Sequence, residues 1–286
     1  MKVSVAMCVR NVDPYIEKCI NSILLQSFND FEIVIIDDMS EDKTREIIER
    51  FKDKRVKLFK NEKWLGIAPS RNECLRRAKG QFIFFTDGDC IVCENWIKEG
   101  LKYFKSPNVI GVEGRIIYVS EDYKSTFSDG IQENRSGGVF MTGNIAYRRE
   151  TIQMIGGFDK RLTYLEDRDL GFRALKCGQI CFAPKMIVVH PKTIVTPKKY
   201  IHYSTNNVNR VRIYKNSGIK EFFVWRIYSP INLAKILFPP LIFASLFSKK
   251  FKTRNDFRLF PYTYVILILE RINLWKAAAI ERIFLM

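Results

Sequence analysis

The chain has 286 residues, of which 47% are apolar, enough for a sizeable core in one large domain or in a domain with an extension. Its net charge of +16 is uneven: residues 192–286 hold 17 Lys/Arg against 4 Asp/Glu, a balance of +13, which leaves +3 for residues 1–191. The seven cysteines lie mostly inside apolar segments, which argues against a disulfide framework and favours reduced thiols in a cytosolic compartment. The sequence begins without a basic-then-apolar leader, so export is not expected.

Strands and helices alternate over residues 1–119. Apolar runs predict strands at residues 3–8, 31–36 and 56–59 and in the run that ends at Asp87. Helices are predicted from Asp13, with Asp13 as N-cap and Pro14 at the first helical position, and near residues 42–52 and 69–79. The first helix has an apolar stripe at helical spacing, formed by Ile16, Cys19, Ile20, Ile23 and Leu24.

This alternation predicts an α/β fold with a mostly parallel, doubly wound sheet and right-handed crossovers. Three of the strands end in polar residues, at Arg10-Asn11, Asp37-Asp38 and Asp87-Gly88-Asp89. Because the carboxyl ends of parallel strands meet at one edge of the sheet, we expect these side chains to converge on a ligand.

Residues 120–190 are less regular. They contain a glycine-rich piece at Ser136-Gly137-Gly138, a predicted strand over residues 144–147 and a predicted helix over about residues 166–176. A short apolar strand over residues 186–189 ends at His190.

The last third has a different pattern. Residues 200–223 are basic and aromatic, and the apolar runs 231–247 and 259–269 fall short of the ~20 uninterrupted residues of a spanning helix. A basic cluster at residues 249–254 separates the two runs. Apolar segments beside basic clusters favour a helical region that lies on an anionic membrane surface, which predicts a peripheral or monotopic protein at the cytoplasmic face of the cell membrane.

Asp87 and Asp89 suggest a metal site. Two carboxylates at the end of a buried strand are costly to desolvate unless a cation meets them. A Mg²⁺ or Mn²⁺ ion held by few carboxylates and by substrate phosphates fits this pattern, with Asp89 as ligand and Asp87 as second ligand or ribose contact. His190 is a further candidate for the phosphates or the metal. The alternative is an ordinary acidic turn, since Asp-Gly is a common turn dipeptide.

Other polar residues at the same edge suit a nucleotide. A carboxylate at Asp37 or Asp38 can accept hydrogen bonds from a base or ribose, although it equally suits a helix cap. Farther along the chain, Asn61 precedes Gly66, which permits close backbone approach, and Arg71, whose guanidinium offers donors to a diphosphate. A solvated arginine is the alternative for Arg71.

A second acidic cluster begins at Glu166-Asp167, 79 positions after Asp87. Transfer to a hydroxyl group requires a general base, and the dipole of the predicted helix is expected to keep a carboxylate here deprotonated at neutral pH. The alternative is structural, since acids in a first helical turn are routine.

Two cysteine pairs, Cys90 with Cys93 and Cys177 with Cys181, together supply the four ligands that a zinc site needs. The second pair lacks the Cys-x-x-Cys spacing and no knuckle glycines flank either pair, so we expect no zinc site of this kind.

Short motifs follow one another in order along residues 1–191. They are residues 3–11, residues 19–26, residues 32–44, Asn61, Gly66, Arg71-Asn72, Asp87-Gly88-Asp89, Thr142-Gly143-Asn144, Gly156-Gly157-Phe158-Asp159, residues 166–170, Arg173, Gly178 and His190. In this order they resemble the family 2 glycosyltransferases of the GT-A fold.

The resemblance implies an inverting transfer of a sugar from a UDP- or GDP-linked donor to a hydroxyl group, with Mn²⁺ or Mg²⁺ as cofactor. It implies Asp167 as the catalytic base, Glu166 near the acceptor, and Asp87 and Asp89 at the ribose and the metal, with His190 as a third metal ligand. The nucleotide-sugar site is expected to comprise Arg10, Asn11, Asp37, Asp38, Asn61, Gly66, Arg71 and Asp87.

Three departures from the family pattern matter. Val9-Arg10-Asn11 replaces Thr-Tyr-Asn and Met39 replaces a common glycine, so the choice of base stays open. No Gln-x-x-Arg-Trp stretch follows the acidic cluster, which argues against a processive synthase.

We therefore expect a GT-A catalytic domain over residues 1–195 and a basic, apolar, helical extension over residues 196–286. The expected function is a non-processive transfer to a lipid-linked or surface-glycan acceptor. One alternative is a catalytically silent, membrane-associated scaffold. Another is a nucleic-acid binder that uses the basic and aromatic residues 198–228, which the apolar runs nearby disfavour.

Overall fold

The computed structural model describes residues 1–119, 134–191, 207–217, 223–224, 227–228, 230–239 and 262–282. The chain divides into two compact units, with Pro191 at the end of the first and Lys192 in the second. The expected limit of the catalytic domain at residue 195 stays a prediction.

The described residues of the first unit form eight strands and six α-helices. The strands are β1 (Val3–Val9), β2 (Phe31–Asp37), β3 (Val56–Lys60), β4 (Phe82–Phe85), β5 (Ile91–Val92), β6 (Val109–Val119), β7 (Ile145–Arg148) and β8 (Gln179–Pro191). The helices are α1 (Asp13–Leu24), α2 (Thr44–Glu49), α3 (Ile67–Arg77), α4 (Trp96–Leu101), α5 (Arg149–Met154) and α6 (Glu166–Ala174), with a 3-10 turn at Lys102–Lys105. The strands form one sheet in the order β3-β2-β1-β4-β7-β6-β8-β5.

Half of the sheet is parallel, as the alternation of strands and helices predicts. Strands β3, β2, β1 and β4 are parallel neighbours, with Ala6 of β1 paired to Val34 on one side and Phe85 on the other. The other half is mixed, because β7 runs antiparallel to both β4 and β6, and β5 runs antiparallel to β8. Antiparallel neighbours need no crossover helix, so the alternation rule does not apply there.

Burial explains the continuous apolar runs. All seven residues of β2 are buried, as expected of a strand covered on both faces. Helix α1 buries Ile16, Cys19, Ile20 and Ile23, four of the five residues in the predicted stripe. Each fully buried isoleucine contributes about 1.5–3 kcal/mol to the stability of this packing.

The start of α1 differs from the prediction. The N-cap is Val12, so Asp13 is the first helical residue and does not cap its own helix. Residues at the start of α2 supply the acceptors instead. The Oγ1 of Thr44, the first residue of α2, accepts the Val12 N–H at 2.7 Å, and the Oδ2 of Asp42, two residues earlier, accepts the Asp13 N–H at 3.1 Å. The expectation of a local cap was wrong because a neighbouring segment already satisfies these donors.

The second unit is mostly helical where it is described. It contains α7 (Asn207–Ser217), α8 (Pro230–Leu237) and α9 (Tyr262–Ile280), together with the short strands β9 (Phe223–Val224) and β10 (Ile227–Tyr228). Glu281 links α7 to the end of α9, because it accepts hydrogen bonds from Arg212 Nε at 2.9 Å and Lys215 Nζ at 3.0 Å. In this part of the chain, as in the rest that is described, no helix is long and apolar enough to cross a bilayer.

The expected helical extension is thus present in these segments. The basic cluster 249–254, residues 240–247 and most of the aromatic segment 198–228 lie outside the described residues.

Candidate active site

The polar residues predicted to converge follow neighbouring strands. Val9 at the end of β1 pairs with Asp37 at the end of β2, so Arg10 and Asp38 leave the same edge of the sheet. Strand β4, on the other side of β1, ends at Phe85, two residues before Asp87. This edge is the candidate active site.

A cluster of four side chains lies at this edge. Asp87, Asp89, Cys90 and His190 each offer one metal-ligating atom, and these atoms all lie within 4.8 Å of one another. The sequence predicted three of the four as ligands and missed Cys90. We call these four residues the cation cluster.

Strand pairing explains how residues from distant parts of the chain meet in this cluster. Ile91 of β5 lies opposite Val189 of β8 in an antiparallel pair. The residue before Ile91 is therefore opposite the residue after Val189, which brings Cys90 to His190. Strand β8 is much longer than the predicted strand over residues 186–189, and His190 lies inside it.

The His190 ring is oriented as metal ligands usually are. Its Nδ1 lies 2.6 Å from the Pro191 carbonyl oxygen, and because a carbonyl only accepts, Nδ1 is the donor. In the neutral ring Nε2 then carries the lone pair, and it lies 3.6 Å from Asp89 Oδ1. Two acceptors that face each other at this separation suit a cation between them, so the cluster fits a divalent ion.

The surroundings also disfavour the charged forms of these groups. Burial, and then Asp87, raise the pKa of Asp89, while His190 opposes the shift. Burial and the two aspartates raise the pKa of the Cys90 thiol far above its ordinary value. A bound cation would favour the ionised form of both groups.

Arg71 connects the two acidic clusters. Its Nη2 donates to Asp87 Oδ1 at 3.1 Å, and its Nη1 makes a short ion pair with Glu166 Oε1. Arg71 and Glu166 are both buried, and Asp87 is partly exposed. The predicted contact of Arg71 with the nucleotide stays a prediction, and any phosphate would share this guanidinium with two carboxylates.

Asp167 lies in the first turn of α6, next to this bridge. The Arg168 N–H donates to Asp167 Oδ1 at 2.7 Å, and the Thr142 N–H donates to Asp167 Oδ2 at 3.4 Å. Burial, and then the Glu166 carboxylate, raise the pKa of Asp167 to about 7, against the opposing effect of Arg71 and the two N–H groups.

The expectation that the helix dipole keeps this carboxylate deprotonated at neutral pH was therefore wrong. With its pKa raised to about 7, Asp167 is not held fully deprotonated at neutral pH. Burial and a like charge outweigh the first helical turn. A pKa near the working pH is the value that suits a general base.

The two aspartates after β2 organise the neighbouring loops. Asp37 Oδ1 accepts the Ser40 N–H at 3.0 Å, which closes a turn. Asp38 accepts hydrogen bonds from Asn61 Nδ2 at 2.7 Å and from the N–H groups of Leu65 and Gly66 at 2.9 and 2.8 Å. Neither aspartate caps a helix, so the alternative of a helix cap was wrong for both, because they bond to turn and loop groups instead. Their contact with a nucleotide stays a prediction.

Gly66 precedes α3 and has a backbone conformation that favours glycine, with φ of 86°. Apart from Gly66 and its two chain neighbours, no atom of the described residues lies within 4 Å of the position that a Cβ atom would take, so this side of the backbone is open among them. That opening agrees with the predicted close approach of a ligand.

Arg10 and Asn11 follow the end of β1, at the same edge of the sheet. The Asn11 amide Oδ1 accepts the Glu41 N–H at 2.8 Å, and Arg10 Nη2 pairs with the Glu41 carboxylate at 3.2 Å. The Arg10 guanidinium also lies 5.3 Å from the centre of the Trp64 ring, which is 66% exposed. The sequence did not single out Trp64, although an exposed tryptophan after a strand is a signal for a ligand-contacting residue.

Glu113 is a buried residue that the sequence analysis missed. Its carboxylate accepts the N–H groups of Gly138, Val139 and Phe140 at 2.6, 3.1 and 2.8 Å, and the side-chain amide of Asn134 at 2.6 Å. These bonds hold the glycine-rich loop that leads to Thr142 and so to Asp167. Its only signal was an acid inside an apolar run.

Comparisons with known proteins agree with this architecture. The family model described as glycosyl transferase family 2 matches residues 4–157. Glycosyltransferase AglE of Haloferax volcanii is 26% identical over 202 residues, which are 66% of this chain and 66% of that protein. The UDP-Glc:alpha-D-GlcNAc-diphosphoundecaprenol beta-1,3-glucosyltransferase WfgD of Escherichia coli is 36% identical over 107 residues, 37% of this chain and 42% of that protein. The chain spans about half to two thirds of the length of the first such relatives.

Solved structures share the fold at low identity. Mannosyltransferase PcManGT from Pyrobaculum calidifontis, in complex with GDP-Man and Mn²⁺, has a TM-score of 0.58 and 17% identity, over 97% of this chain and 73% of that one. Residues 1–349 of S. aureus TarS, in complex with UDP-GlcNAc, have a TM-score of 0.59 and 19% identity, over 99% of this chain and 93% of that one.

The mixed eight-stranded sheet, with its acidic residues at the carboxyl edge, has the GT-A fold. The family model covers more than half of the chain, and the protein belongs to glycosyl transferase family 2. The family and the fold that the motifs indicated are both confirmed.

Proposed function

We propose that the protein is a metal-dependent, inverting glycosyltransferase that moves a sugar from a nucleotide-sugar to a hydroxyl group. The single observation that carries this proposal is the Arg71 bridge, because it joins a carboxylate of the cation cluster, Asp87, to the acid beside the candidate base, Glu166. The donor would then bind on the Asp87 side of the buried Arg71 side chain, and the base, Asp167, would lie on the Glu166 side.

Asp87, Asp89 and His190 would hold the Mn²⁺ or Mg²⁺ ion, which when bound neutralises charge on the departing nucleoside diphosphate. Two carboxylates and an imidazole are suitable ligands for such an ion. The presence of Mn²⁺ and GDP-Man in the mannosyltransferase from Pyrobaculum supports this assignment.

Asp167 acts as general base toward the acceptor hydroxyl. The N–H groups of Arg168 and Thr142 fix the orientation of its carboxylate, and its pKa of about 7 allows it to take a proton at neutral pH. A retaining reaction would need a second, nucleophilic carboxylate. Glu166 is a poor candidate because Arg71 neutralises it, so we favour a single displacement with inversion.

The nucleotide binds on the side of Asp38. Asp38 holds the loop at Leu65 and Gly66 against the strand end, and the open side of Gly66 permits close approach of the donor. Arg10 and the exposed Trp64 ring offer a charge and a stacking surface to the base. The donor is a UDP- or GDP-linked sugar, as in the structures with bound UDP-GlcNAc and GDP-Man.

The acceptor that we propose is a lipid-linked glycan at the cytoplasmic membrane face. WfgD, a relative, is named for a diphosphoundecaprenol-linked acceptor. The balance of +13 over residues 192–286 suits an anionic leaflet, and α9 exposes apolar side chains at Val265, Ile272, Trp275 and Ile280.

Flotation with vesicles that contain phosphatidylglycerol should carry the wild type and lose Trp275→Glu, whereas Trp64→Glu should still float. Wild type that stays at the bottom of the gradient would refute the membrane part.

Calorimetry of UDP-, GDP- and dTDP-sugars, with and without Mn²⁺, tests the donor and metal parts. We expect Mn²⁺-dependent binding of one donor by the wild type and by Asp30→Asn, a matched exposed aspartate, and no such binding by Asp89→Asn. If a donor bound with the same affinity with and without Mn²⁺, and equally to the wild type and to Asp89→Asn, metal dependence would be refuted. Binding without any turnover would favour the silent scaffold, and salt-sensitive retention on RNA but not on vesicles would favour the nucleic-acid binder.

A further inference from the structure

The cation cluster has a sulfur ligand that a site for a hard ion does not need. Within the described parts of the chain, it is the one group of His, Cys, Asp and Glu side chains that converges on a single point, and Cys90 belongs to it. Carboxylates suit Mg²⁺ and Mn²⁺, whereas thiolate and imidazole together favour Zn²⁺ and similar ions. The exposed Cys93, three residues later, is not part of the cluster.

We propose that the cation cluster is a mixed site that also binds divalent ions of the zinc class, with Asp89, Cys90 and His190 as ligands and Asp87 as the fourth. This site differs from the four-cysteine tetrad considered from the sequence. The binding step does not depend on the proposed reaction, whereas its effect on the donor does.

Two of the six distances between the four ligand atoms, which all lie within 4.8 Å of one another, are close to the edge lengths of a tetrahedral site. His190 Nε2 lies 3.6 Å from Asp89 Oδ1, and Cys90 Sγ lies 3.8 Å from the same oxygen. The bond lengths of tetrahedral Zn²⁺ predict about 3.4 Å for the nitrogen–oxygen edge and about 3.6 Å for the sulfur–oxygen edge. An octahedral Mg²⁺ ion would bring adjacent ligands to about 2.9 Å. The observed edges are thus each about 0.2 Å from the tetrahedral values.

Residues around the cluster hold two of these ligands in position. The Pro191 carbonyl orients the His190 ring, and Tyr118 packs against that ring with centroids 5.2 Å apart. The register of β5 and β8 fixes Cys90 opposite His190. Cys90 is buried, whereas Asp89 and His190 are partly exposed. An ion would therefore reach the Cys90 sulfur past the Asp89 and His190 side chains.

Occupancy by zinc has a consequence for the donor. On coordination the S–H bond of Cys90 breaks, its proton passes to solvent, and a sulfur–metal bond forms, with no change of oxidation state. Four protein ligands complete the tetrahedron and leave no position for a diphosphate oxygen. We therefore expect Zn²⁺ to exclude the nucleotide-sugar and to compete with Mn²⁺.

The test is optical and needs no turnover. Co²⁺ added to the metal-free full-length protein should give a thiolate-to-cobalt charge-transfer band in the near ultraviolet and the strong visible bands of tetrahedral Co²⁺, both displaced by Zn²⁺. Cys93→Ser should keep both signals. Cys90→Ser should lose the thiolate band and bind Zn²⁺ more weakly, by at least the roughly 10- to 100-fold that loss of an outer-shell partner costs. Serine is close in size to cysteine, and circular dichroism with Mn²⁺ titration would check that Cys90→Ser is folded.

Three results would overturn the proposal. One is weak, octahedral Co²⁺ bands without a thiolate band in the wild type, which needs no variant. Another is a thiolate band that persists in Cys90→Ser but disappears in Cys93→Ser. The third is Mn²⁺-dependent donor binding that saturating Zn²⁺ leaves unchanged, which would refute the exclusion of the donor even if the proposed transfer activity stands.

Discussion

A buried carboxylate, Glu32, lies at the amino end of the parallel strands and a partly buried one, Asp167, at the carboxyl end, and their surroundings differ. At the amino end, Glu32 accepts hydrogen bonds from Ser4 Oγ at 2.6 Å, the Lys79 N–H at 2.7 Å and the Lys57 ammonium. Burial alone would raise the pKa of Glu32, but these donors outweigh it, so the pKa is lowered. This carboxylate is ionised and satisfied, and it ties β1, β2, β3 and the turn after α3 together.

At the carboxyl end, Asp167 has two N–H donors and an acidic neighbour, and burial together with Glu166 raises its pKa to about 7. Both ends of the strands carry a carboxylate, but Glu32 accepts hydrogen bonds from more donors than Asp167 does. A carboxylate that is fully satisfied contributes to stability, whereas one that is incompletely satisfied is available for proton transfer.

The largest effect is expected from removal of the base. Asp167→Asn should lower kcat by about 10²- to 10⁴-fold, the usual contribution of a general base, and leave the Kd of the donor nearly unchanged. Steady-state kinetics on the wild type, Asp167→Asn and the control Asp30→Asn measure this difference. If Asp167→Asn turned over within threefold of the wild type, Asp167 would not be the base.

Removal of the bridge between the clusters should have the next largest effect. Arg71→Met leaves Glu166 buried without its cation, which should lower the free energy of unfolding by about 3–5 kcal/mol. Urea denaturation would measure this loss, and the double variant Arg71→Met/Glu166→Gln should recover part of it. A loss below about 1 kcal/mol would show that the bridge is not a buried ion pair in solution.

The amino-end carboxylate should affect stability alone, and by less. Glu32→Gln should lower the free energy of unfolding by about 1–3 kcal/mol at pH 7, whereas Glu49→Gln, in an exposed ion pair, should change it by less than about 0.5 kcal/mol. Because the folded pKa of Glu32 is lowered, its stabilisation is present above its unfolded pKa of about 4.3 and is lost as the pH falls further. The difference between Glu32→Gln and wild type should therefore shrink in acid, and a constant difference would contradict the role of its charge.

A stability change of opposite sign is expected at the other end. Since the folded pKa of Asp167 is raised, the wild type is most stable, relative to Asp167→Asn, below the unfolded pKa of about 3.9. That advantage is lost as the pH rises to about 7. Melting temperatures of metal-free protein should shift in favour of Asp167→Asn over this interval by a few degrees. A shift in the other direction would mean that the pKa is not raised.

Local sequence patterns predicted the half of the fold in which they dominate. The run over residues 31–36 predicted β2 because both faces of that strand are buried, and the stripe on α1 predicted its packing. Strand β6 was missed because Gly111, Gly114 and the buried Glu113 interrupt its apolar run. The need for these residues comes from partners elsewhere, such as the loop that Glu113 holds.

The candidate site shows the same division. Asp87, Asp89 and Asp167 stood out because acids follow a buried strand or begin a helix. Cys90 could not be assigned, since only the pairing of β5 with β8 brings it to His190. The pKa of Asp167 was also out of reach, because it depends on burial and on Glu166 in three dimensions.

The pairing of β5 with β8 also affects the order in which the protein acquires its properties during synthesis. Cys90 and His190 are 100 positions apart, and β8 is the last strand of the sheet along the chain. A nascent chain that has emerged only as far as β7 contains both aspartates but lacks the imidazole. If the cation cluster binds a divalent ion as proposed, its affinity would become high only when β8 joins the sheet, so the ion would favour the completed first unit over every shorter precursor.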